Sequence, residues 1–418
     1  MTEVIMGTPR FRGRVRRPQV LVIGGGLAGM AAALAARQAG ATVAVVSEGA
    51  GVLELASGCI DRLAVPEGSL PPEHPYRLIG MAAVDEELAA FQKAMEAAGY
   101  PLAADGPGAG GSHVITALGS RRRTHLVAPG MAAPPPGEPL WVVGFRGLRD
   151  FHPAVVAAGL RRSDPAADVA WGEVELPGAP EDVHPVALAR QLEDEAYRRQ
   201  VIERVEAVRP QGRGGAALLP AVLGLSGAAA VRRALAEGLG MRVVEVLLPP
   251  PSVPGLRLAD ALRRAVQQAG VDLAIGARAV EARREGGRVR HVVTRGPGGR
   301  ITYEAEAYVL ATGGLMGNGL TAEGRSVREP LFDLPVSAPD GEWADPRFLP
   351  AEGHPFVRVG VAVDGRLRPP GYTNLFVCGR ALAGYDPYAE GSGGGVAVAT
   401  GGAAGREAAR LVAGGEPR

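Results

Sequence analysis

The feature that most constrains this chain is a run of glycines between a short apolar segment and an Ala/Leu-rich segment. Residues 19–49 read QVLVIGGGLAGMAAALAARQAGATVAVVSEG. This pattern predicts a buried strand, a turn, a helix ending near Gly40 and a second buried strand over 42–46. Three glycines form a G-x-G-x-x-G pattern where the first strand meets the helix: Gly24, Gly26 and Gly29. We therefore predict a βαβ unit whose helix N-terminus binds the phosphates of a dinucleotide.

The end of the second predicted strand departs from the usual pattern. Ser47 stands 23 residues after Gly24, where a carboxylate is expected to hold the ribose 2′-hydroxyl. Glu48 comes one residue later and points to the other side of an extended strand. Two interpretations stay open: the serine hydroxyl bonds the ribose, or Glu48 turns inwards through a local bulge.

Further glycine turns occur where predicted strands end. Gly313 and Gly314 follow the apolar run AYVLAT, and Gly379 follows NLFVC. Open α/β sheets bind ligands beyond the carboxyl ends of their strands. We therefore expect these turns to gather backbone N–H groups around the same cofactor.

Two more small-residue segments complete the predicted cofactor site. Gly393 and Gly394 begin a final Ala-rich helix, whose N-terminus is suited to stabilise negative charge on a reduced flavin. Ser57 and Gly58 form a loop about ten residues after the second strand. The alternative for this loop is an ordinary surface turn.

Composition bounds the class of protein. The chain has 418 residues, of which 46% are hydrophobic, so two domains are expected. Its 45 basic and 44 acidic residues give a net charge of +1, which provides no global attraction to nucleic acid or to an anionic membrane. No apolar stretch approaches the roughly 18 residues of a membrane span. We predict no nucleic-acid partner and a cytoplasmic location.

Cysteine usage excludes several kinds of site. Cys59 and Cys378 are the only two cysteines, which cannot supply a disulfide framework, an iron–sulfur cluster or a thiolate zinc site. We predict no metal centre and an inert, buried role for Cys59. Residues 56–61 contain no histidine, so a histidyl-linked flavin is not expected there.

The predicted fold class is α/β, with a discontinuous Rossmann-like FAD-binding domain that carries an inserted α/β cap domain. Helical and strand-like patterns that resume after residue 254 indicate that the chain returns to the nucleotide domain. The predicted divisions are a disordered basic leader over 1–18, the flavin-binding domain over 19–100, 255–315 and 356–418, and the cap over 101–254 and 316–355.

Several strings along the chain resemble one family. In order, they are ASGCIDRL, HPYRLIG, GFRGLRDF, LLPPPSVPGLRL, SVREPLF, GEW and GYDPYAEGSGGG. Together they resemble the B subunits of the anaerobic glycerol-3-phosphate dehydrogenases over about residues 19–410. The serine at the end of the second strand also resembles some fumarate reductase and succinate dehydrogenase flavoproteins.

The resemblance implies a flavoprotein subunit that oxidises sn-glycerol 3-phosphate to dihydroxyacetone phosphate and passes electrons to quinone. It implies two partners, a flavoprotein A subunit and an iron–sulfur C subunit that attaches the complex to the inner membrane. The family is commonly assigned FMN, whereas the βαβ unit favours FAD. Two alternatives stay open: a non-catalytic electron relay or scaffold, and a fumarate reductase-type flavoprotein with another substrate.

Candidate substrate residues lie after Gly314. Arg325 and Arg328 are expected to pass near the flavin, where a guanidinium binds a phosphate through two hydrogen bonds. His354 and Asp386 are candidate general bases for the substrate hydroxyl. The alternative for each is structural, as an exposed or paired arginine or as a hydrogen-bonding partner within the fold.

Overall fold

The computed structural model describes residues 14–49, 51–63, 65–104, 112–210, 212, 214–324, 326–338, 345–348, 350 and 352–414. Within these ranges the α-helices are α1 (Leu27–Gln38), α2 (Pro75–Ile79), α3 (Met81–Ala97), α4 (Pro153–Ser163), α5 (Pro185–Gln191), α6 (Glu195–Ala207), α7 (Ala228–Leu239), α8 (Val253–Gln268) and α9 (Gly393–Val412). The strands are β1 (Arg14–Arg16), β2 (Val20–Ile23), β3 (Val43–Ser47), β4 (Ala103–Ala104), β5 (Ser112–Ile115), β6 (Arg121–Thr124), β7 (Leu126–Val127), β8 (Leu140–Phe145), β9 (Val169–Val174), β10 (Ala216–Pro220), β11 (Arg242–Val246), β12 (Asp272–Ile275), β13 (Arg278–Glu285), β14 (Arg288–Gly296), β15 (Gly299–Tyr303), β16 (Ala307–Leu310), β17 (Thr321–Glu323), β18 (Ser326–Arg328), β19 (Val336–Ser337), β20 (Gly360–Val361) and β21 (Leu375–Val377).

The largest sheet has five parallel strands in the order β12, β3, β2, β16, β21. Its strands come from well-separated parts of the chain. The strands β2, β3 and β16 consist almost entirely of buried apolar residues, as parallel strands covered on both faces do. The predicted α/β class, with a nucleotide-type sheet assembled from separate segments, is confirmed.

Helices α1 and α9 pack against each other with their backbones in close contact. A Cβ atom on Gly401 would lie 2.3 Å from the carbonyl oxygen of Ala28, and one on Gly405 would lie 2.2 Å from that of Ala32. These contacts run in the same direction along both helices, so the helices are parallel. Gly401 lies further from the start of α9 than Ala28 does from the start of α1. At a rise of about 1.5 Å per residue, α9 therefore begins about 10 Å before α1 along the shared direction.

A second unit is built around a four-stranded parallel sheet in the order β11, β10, β8, β9. Helices α4 to α7 accompany it, and its own core includes Trp141, Phe145 and Leu218. The sequence has strand-like apolar runs at 140–144, 216–219 and 243–248, which correspond to β8, β10 and β11. The edge strand β9 was not predicted.

A third sheet has the order β1, β15, β14, β13. Its first strand comes from the segment predicted to be a disordered leader, with Arg14 in register with Ile301. The prediction of disorder is therefore wrong for residues 14–16, because parallel pairing with β15 satisfies the backbone of this segment. Residues 1–13 lie outside the described part of the chain.

The two hydrophobic cores divide the chain differently from the predicted boundaries. Val114 in β5 and Leu126 in β7 pack into the nucleotide-domain core, although 101–254 was assigned to the cap. Leu320 and Phe332, from the other predicted cap segment, do the same. The second core instead takes its residues mainly from 140–253. The inserted unit thus takes up a shorter part of the chain than predicted, and β5 contacts both cores, with Val114 in the first and Ile115 in the second.

A buried ion pair connects the two units. Glu245 on β11 and Arg257 on α8 are joined by bonds of 2.7 and 2.9 Å between their carboxylate and guanidinium groups. Arg257 Nε also donates to the carbonyl oxygen of Gly224 at 2.7 Å, and the Leu223 amide donates to Glu245 at 3.0 Å. Each nitrogen of the guanidinium and each oxygen of the carboxylate therefore has at least one protein partner.

Candidate functional site

The glycine loop at the end of β2 has a backbone that larger residues do not fit. Gly24 has a φ of +120°, and a Cβ on it would lie 2.2 Å from the carbonyl oxygen of Ala311 beside β16. A Cβ on Gly29 would lie 1.9 Å from the Gly24 carbonyl oxygen. These two glycines are needed for the loop itself, whatever it binds.

Gly26 differs from its neighbours because the space in front of it is open. A Cβ on Gly26 would meet no atom within 4 Å. Gly26 lies directly before α1 in an extended conformation with no side-chain cap. Among the described residues, the amides of Leu27, Ala28 and Gly29 have no hydrogen-bond acceptor. Open space and free N–H groups at a helix N-terminus are what a phosphate group requires.

Ser47 holds this loop in place. Its Oγ accepts a hydrogen bond from the Gly25 amide at 2.9 Å and donates to the Gly49 carbonyl. The hydroxyl hydrogen is committed to Gly49, so Ser47 has only acceptor capacity left for a ribose. Glu48 is exposed, and its carboxylate lies 3.9 Å from Nε of Arg278. The Ser47 hydroxyl therefore bonds within the loop, and the Glu48 carboxylate faces Arg278.

Next to this loop lies a cavity with a volume of about 160 Å³. It faces the β3 and β12 side of the sheet. Its lining is mostly apolar, with one acidic and one basic side chain, and includes Gly25, Met30, Leu53, Glu54, Leu262 and Arg263.

Other predicted glycines lie between the two helix starts. Gly379, with φ +68°, is flanked by Ala28 of α1 and Ala397 of α9, at 2.5 and 4.0 Å from the position of a Cβ atom. Gly314 packs against the Arg380 backbone, its Cβ position 3.0 Å from that carbonyl oxygen, and Gly313 precedes it with a φ of +84°. The structure thus brings these strand-end turns together at one edge of the sheet.

The N-terminus of α9 faces the loop that follows β3. A Cβ on Gly394 would lie 3.3 Å from the Asp61 amide nitrogen, and the Gly395 amide donates to the Asp61 carbonyl at 2.8 Å. Among the described residues, the amides of Gly393 and Gly394 have no hydrogen-bond acceptor. The start of α9 is therefore a second group of free N–H donors, about 10 Å from the first along the helices.

An arginine that sequence reasoning did not identify joins this second group. Arg122 on β6 forms an ion pair with Asp61 at 2.9 Å and donates from Nη2 to Ser57 Oγ at 3.3 Å. Gly58 follows Ser57, and its Cβ position lies 2.7 Å from the Pro254 carbonyl oxygen. The signal in the sequence was the arginine triplet 121–123, but nothing local places it beside Ser57.

Buried polar atoms without partners test whether a flavin cofactor fits this edge. Four of them, with no hydrogen-bond partner among the described residues, belong to side chains around the strand ends and the start of α9: Arg62 Nε, Tyr76 Oη, Arg122 Nε and Thr312 Oγ1. Nε can only donate, so these arginines match an acceptor-rich ligand. Together with the two groups of free amides, this edge fits an elongated molecule with a pyrophosphate and a second polar end.

A buried network supports the turn before α9. The Tyr76 amide donates to Nδ1 of His74, which leaves Nε2 of His74 to donate to Glu390 at 3.2 Å. Ser392 Oγ and the Asp386 amide also donate to Glu390. Burial acts to raise the pKa of Glu390, but these hydrogen bonds outweigh it and the pKa is lowered. Glu390 is therefore ionised at neutral pH and fixes the turn that leads into α9.

Three of the four predicted substrate residues lie in the described part of the chain, in different settings. Asp386 is buried and accepts hydrogen bonds from the amides of Tyr388 and Ala389, both at 3.0 Å. Nε2 of His354 lies 3.0 Å from the Phe348 carbonyl oxygen. Arg328 is exposed on the hairpin of β17 and β18, and pairs with Glu323 at 2.8 Å. Their described contacts are structural. Arg325 lies outside the described residues.

The cysteines do not provide a reactive thiolate. Burial raises the pKa of Cys59 to about 11 and that of Cys378 to about 12. Cys59 Sγ also accepts a hydrogen bond from the Ala128 amide at 3.3 Å. Both thiols are therefore protonated at neutral pH, in line with the inert role predicted for Cys59. Among the described residues, no cluster of three or more His, Cys, Asp or Glu side chains has the arrangement of a metal site.

Known proteins are similar in sequence to this chain over most of its length. Residues 19–396 match the family described as FAD binding domain. A Halobacterium salinarum protein, described as a probable B subunit of an anaerobic glycerol-3-phosphate dehydrogenase, is 37% identical, over 94% of this chain and 98% of that protein. The B subunit of the Vibrio cholerae anaerobic glycerol-3-phosphate dehydrogenase is 33% identical, over 91% of this chain and 94% of that protein.

The chain belongs to the family of anaerobic glycerol-3-phosphate dehydrogenase B subunits. The family resemblance predicted from the sequence is thereby confirmed, and with it a flavoprotein of the oxidoreductase class with an FAD-binding domain. FMN receives no specific support from the matched domain. The relatives are named as subunits, which says that they work within a larger assembly.

Among solved structures, the open conformation of a flavocytochrome c3 fumarate reductase is similar with a TM-score of 0.42 and 13% identity, covering 96% of this chain and 79% of that one. In the described part of the chain, no helix combines the length and apolarity that a bilayer span requires.

Proposed function

We propose that this chain is the flavin-binding subunit through which the electrons of sn-glycerol 3-phosphate pass on their way to quinone, with dihydroxyacetone phosphate as the product. The observation that carries the proposal is the pair of free helix N-termini, at α1 and α9, facing one edge of the parallel sheet. Family membership provides the substrate, since the relatives are named for glycerol-3-phosphate dehydrogenase. The fold alone does not identify a substrate.

Different residues at this edge of the sheet bind different parts of the cofactor. The amides of Leu27, Ala28 and Gly29 bind the pyrophosphate, and the open space at Gly26 lets it approach the backbone. The amides of Gly393 and Gly394 bind the polar edge of the flavin ring and stabilise negative charge there. A bound flavin supplies the two-electron acceptor for the substrate's hydride. Gly313, Gly314, Gly379 and the loop of Ser57 and Gly58 line the space between these two ends.

We expect the cofactor to be noncovalent FAD. Two anion-binding ends about 10 Å apart, with an apolar cavity beside Gly25 for the adenosine, suit a dinucleotide better than a mononucleotide. The test is to denature the purified protein, separate the released flavin by chromatography and compare it with FAD and FMN standards. Release of FMN alone, or flavin that stays attached to peptide, would contradict the expectation.

The subunit is proposed to work with a flavoprotein A subunit and an iron–sulfur C subunit, which attach it to the cytoplasmic face of the inner membrane. Electrons leaving a flavin for a membrane quinone need a chain of carriers, and two buried, separated cysteines cannot hold a cluster. The partners therefore have to provide both the clusters and the membrane attachment.

A second function, an electron relay that never meets substrate, is favoured by one observation. Oδ1 of Asp386 and Nε2 of His354 already take part in hydrogen bonds within the fold. A general base for the substrate hydroxyl would then come from the A subunit rather than from this chain.

Measuring flavin reduction and quinone reduction separately distinguishes the two functions. We expect the flavin-loaded chain alone to be reduced by glycerol 3-phosphate, but to reduce quinone only when the A and C subunits are present. The measurement follows flavin absorbance after mixing with substrate, and then quinone reduction, for the chain alone and for the complex. Flavin reduction that requires the A subunit supports the relay instead. Steady quinone turnover by the lone chain would show that no partner is needed.

A further inference from the structure

We propose that Arg122 is a substrate-binding residue and that its guanidinium, together with Ser57, binds the phosphate group of a phosphomonoester beside the start of α9. This inference rests on the proposed function and goes further by naming the group that recognises the charged end of the substrate. The observation behind it is the way Arg122 is bonded, compared with Arg257, which is buried in the same fold.

The neighbours of Arg122 orient its guanidinium group but do not provide an acceptor for every N–H donor. Nη1 forms an ion pair with an Asp61 carboxylate oxygen at 2.9 Å. Nη2 donates to Asp61 Oδ1 and to Ser57 Oγ, both at 3.3 Å. Nε of Arg122 is buried and has no acceptor among the described residues. Asp61 thus fixes one edge of the guanidinium plane, and donors remain for another anion.

Arg257 shows what a purely structural arginine looks like in the same protein. All three of its nitrogens donate to protein acceptors, and its side chain is 5% exposed. The Arg122 side chain is 41% exposed, although its partner Asp61 is only 18% exposed. A buried N–H without an acceptor is costly to leave unmet. Arg122 therefore combines the fixed orientation of a structural arginine with the accessibility of a binding one.

The surroundings of Arg122 favour an anion. The start of α9 lies beside the Asp61 backbone, and the amides of Gly393 and Gly394 there have no acceptor among the described residues. Arg62, the residue after Asp61, has an Nε without an acceptor in the described structure, while its Nη2 pairs with Asp85 at 2.6 Å. Arg122 is paired with the carboxylate of Asp61, so a dianion is held by directed N–H donors and by the positive end of α9 rather than by a net positive charge.

This anion is distinct from the pyrophosphate of the cofactor. The pyrophosphate donors lie at α1, and the start of α9 is about 10 Å away along the helices. Arg122 is connected to the α9 end, because Asp61 contacts Gly394 and Gly395 directly. A phosphomonoester held here lies at the end of the site assigned to the flavin ring, where a substrate has to be placed for hydride transfer.

The test uses three variants of the flavin-loaded chain, alone and in the complex with its partners. Arg122→Gln removes the charge but retains a hydrogen-bond donor for Asp61, and Arg122→Lys keeps the charge without the fork of donors. Arg123→Gln is the matched control, because Arg123 is the adjacent, exposed arginine of the same strand, in register with His113. Binding of glycerol 3-phosphate and of inorganic phosphate is measured from the change in flavin absorbance, beside flavin content, KM and kcat.

We expect Arg122→Gln to weaken binding of both ligands and to raise the KM for glycerol 3-phosphate at least about tenfold, with flavin content and the Arg123→Gln control unchanged. Arg122→Lys is expected to fall between wild type and Arg122→Gln, and it decides the question if Arg122→Gln does not fold. Unaltered binding in both Arg122 variants overturns the inference. So does loss of flavin in proportion to loss of binding, which would make Arg122 a cofactor residue.

Failure of the inference can be told apart from failure of the proposed function. If the wild-type complex turns over glycerol 3-phosphate but the wild-type chain shows no absorbance change with either ligand, the subsite is absent and the function stands. If the complex does not oxidise glycerol 3-phosphate, the function fails. Phosphate binding by the wild-type chain, and its loss in Arg122→Gln, still decides whether Arg122 binds anions.

Discussion

Replacing Gly26 by valine is expected to give a folded chain that purifies without flavin. The φ of Gly26 is −78°, which any residue adopts, and its Cβ position meets no protein atom within 4 Å. The added side chain therefore fits the protein but occupies the space in front of the free amides of α1. A phosphate that cannot reach these donors loses charge-assisted hydrogen bonds worth about 1.5–3 kcal/mol each. The loss of even one such bond lowers the flavin affinity about tenfold to hundredfold.

Flavin per chain after desalting and the thermal midpoint of the flavin-free protein together measure this effect. Two glycines serve as controls. Gly298→Val also meets no atom within 4 Å, but it lies in the turn between β14 and β15, and should leave flavin content unchanged. Gly29→Val would place its Cβ 1.9 Å from the Gly24 carbonyl oxygen, and should lower the midpoint itself. Full flavin content in Gly26→Val would mean that the loop is only a structural turn.

The nucleotide-binding end could be predicted from sequence because its signals are local. A run of four buried apolar residues, a glycine turn and an Ala-rich helix define β2 and α1 within about 20 residues, and the structure places β2 at Val20–Ile23 as predicted. The glycines near 313, 379 and 393 could be predicted to meet because parallel strands end at the same edge of a sheet. This prediction needs only the order and direction of the strands in the sheet.

Strands whose signal is not local were missed. In β9 only the two end residues are buried, and the middle residues are half-buried or exposed, with Trp171 and the charged Glu173 both exposed. The segment therefore lacks the continuous apolar run of β8. The strand β1 consists of exposed residues and is specified by pairing with β15, far away in sequence. Tertiary pairing, rather than intrinsic propensity, determines such strands.

The hydrogen-bond partners of the site's side chains could not be predicted from the sequence. Residue type made Ser47 and Asp386 candidates, but only the structure shows that the Ser47 hydroxyl is used by Gly25 and Gly49 and that the Asp386 carboxylate caps a turn. The reverse holds for Arg122. An arginine in a hairpin has no distinguishing local pattern, and its role follows from reaching Ser57 and Asp61, which lie some 60 residues earlier.

The second large effect is expected from removing one member of the buried ion pair that joins the two units. The Glu245 side chain is 1% exposed and that of Arg257 is 5% exposed. Glu245→Ala leaves the guanidinium charge buried with the Gly224 carbonyl as its main remaining partner, and also removes the acceptor of the Leu223 amide. Breaking a buried pair in this way costs about 3–5 kcal/mol. We expect the second unit, which contains β11, to unfold first.

Tryptophan fluorescence during urea unfolding measures this loss, since Trp141 lies in the second core and Trp171 on its edge strand. The transition should move to clearly lower urea in Glu245→Ala. The matched control is Glu195→Ala, which removes an exposed ion pair with Arg199 on α6 of the same unit and should cost no more than about 1 kcal/mol. Replacing both partners, as Glu245→Leu with Arg257→Met, should recover much of the stability because no unpaired charge remains. Equal transitions for Glu245→Ala and Glu195→Ala would show that the buried pair does not hold the two units together.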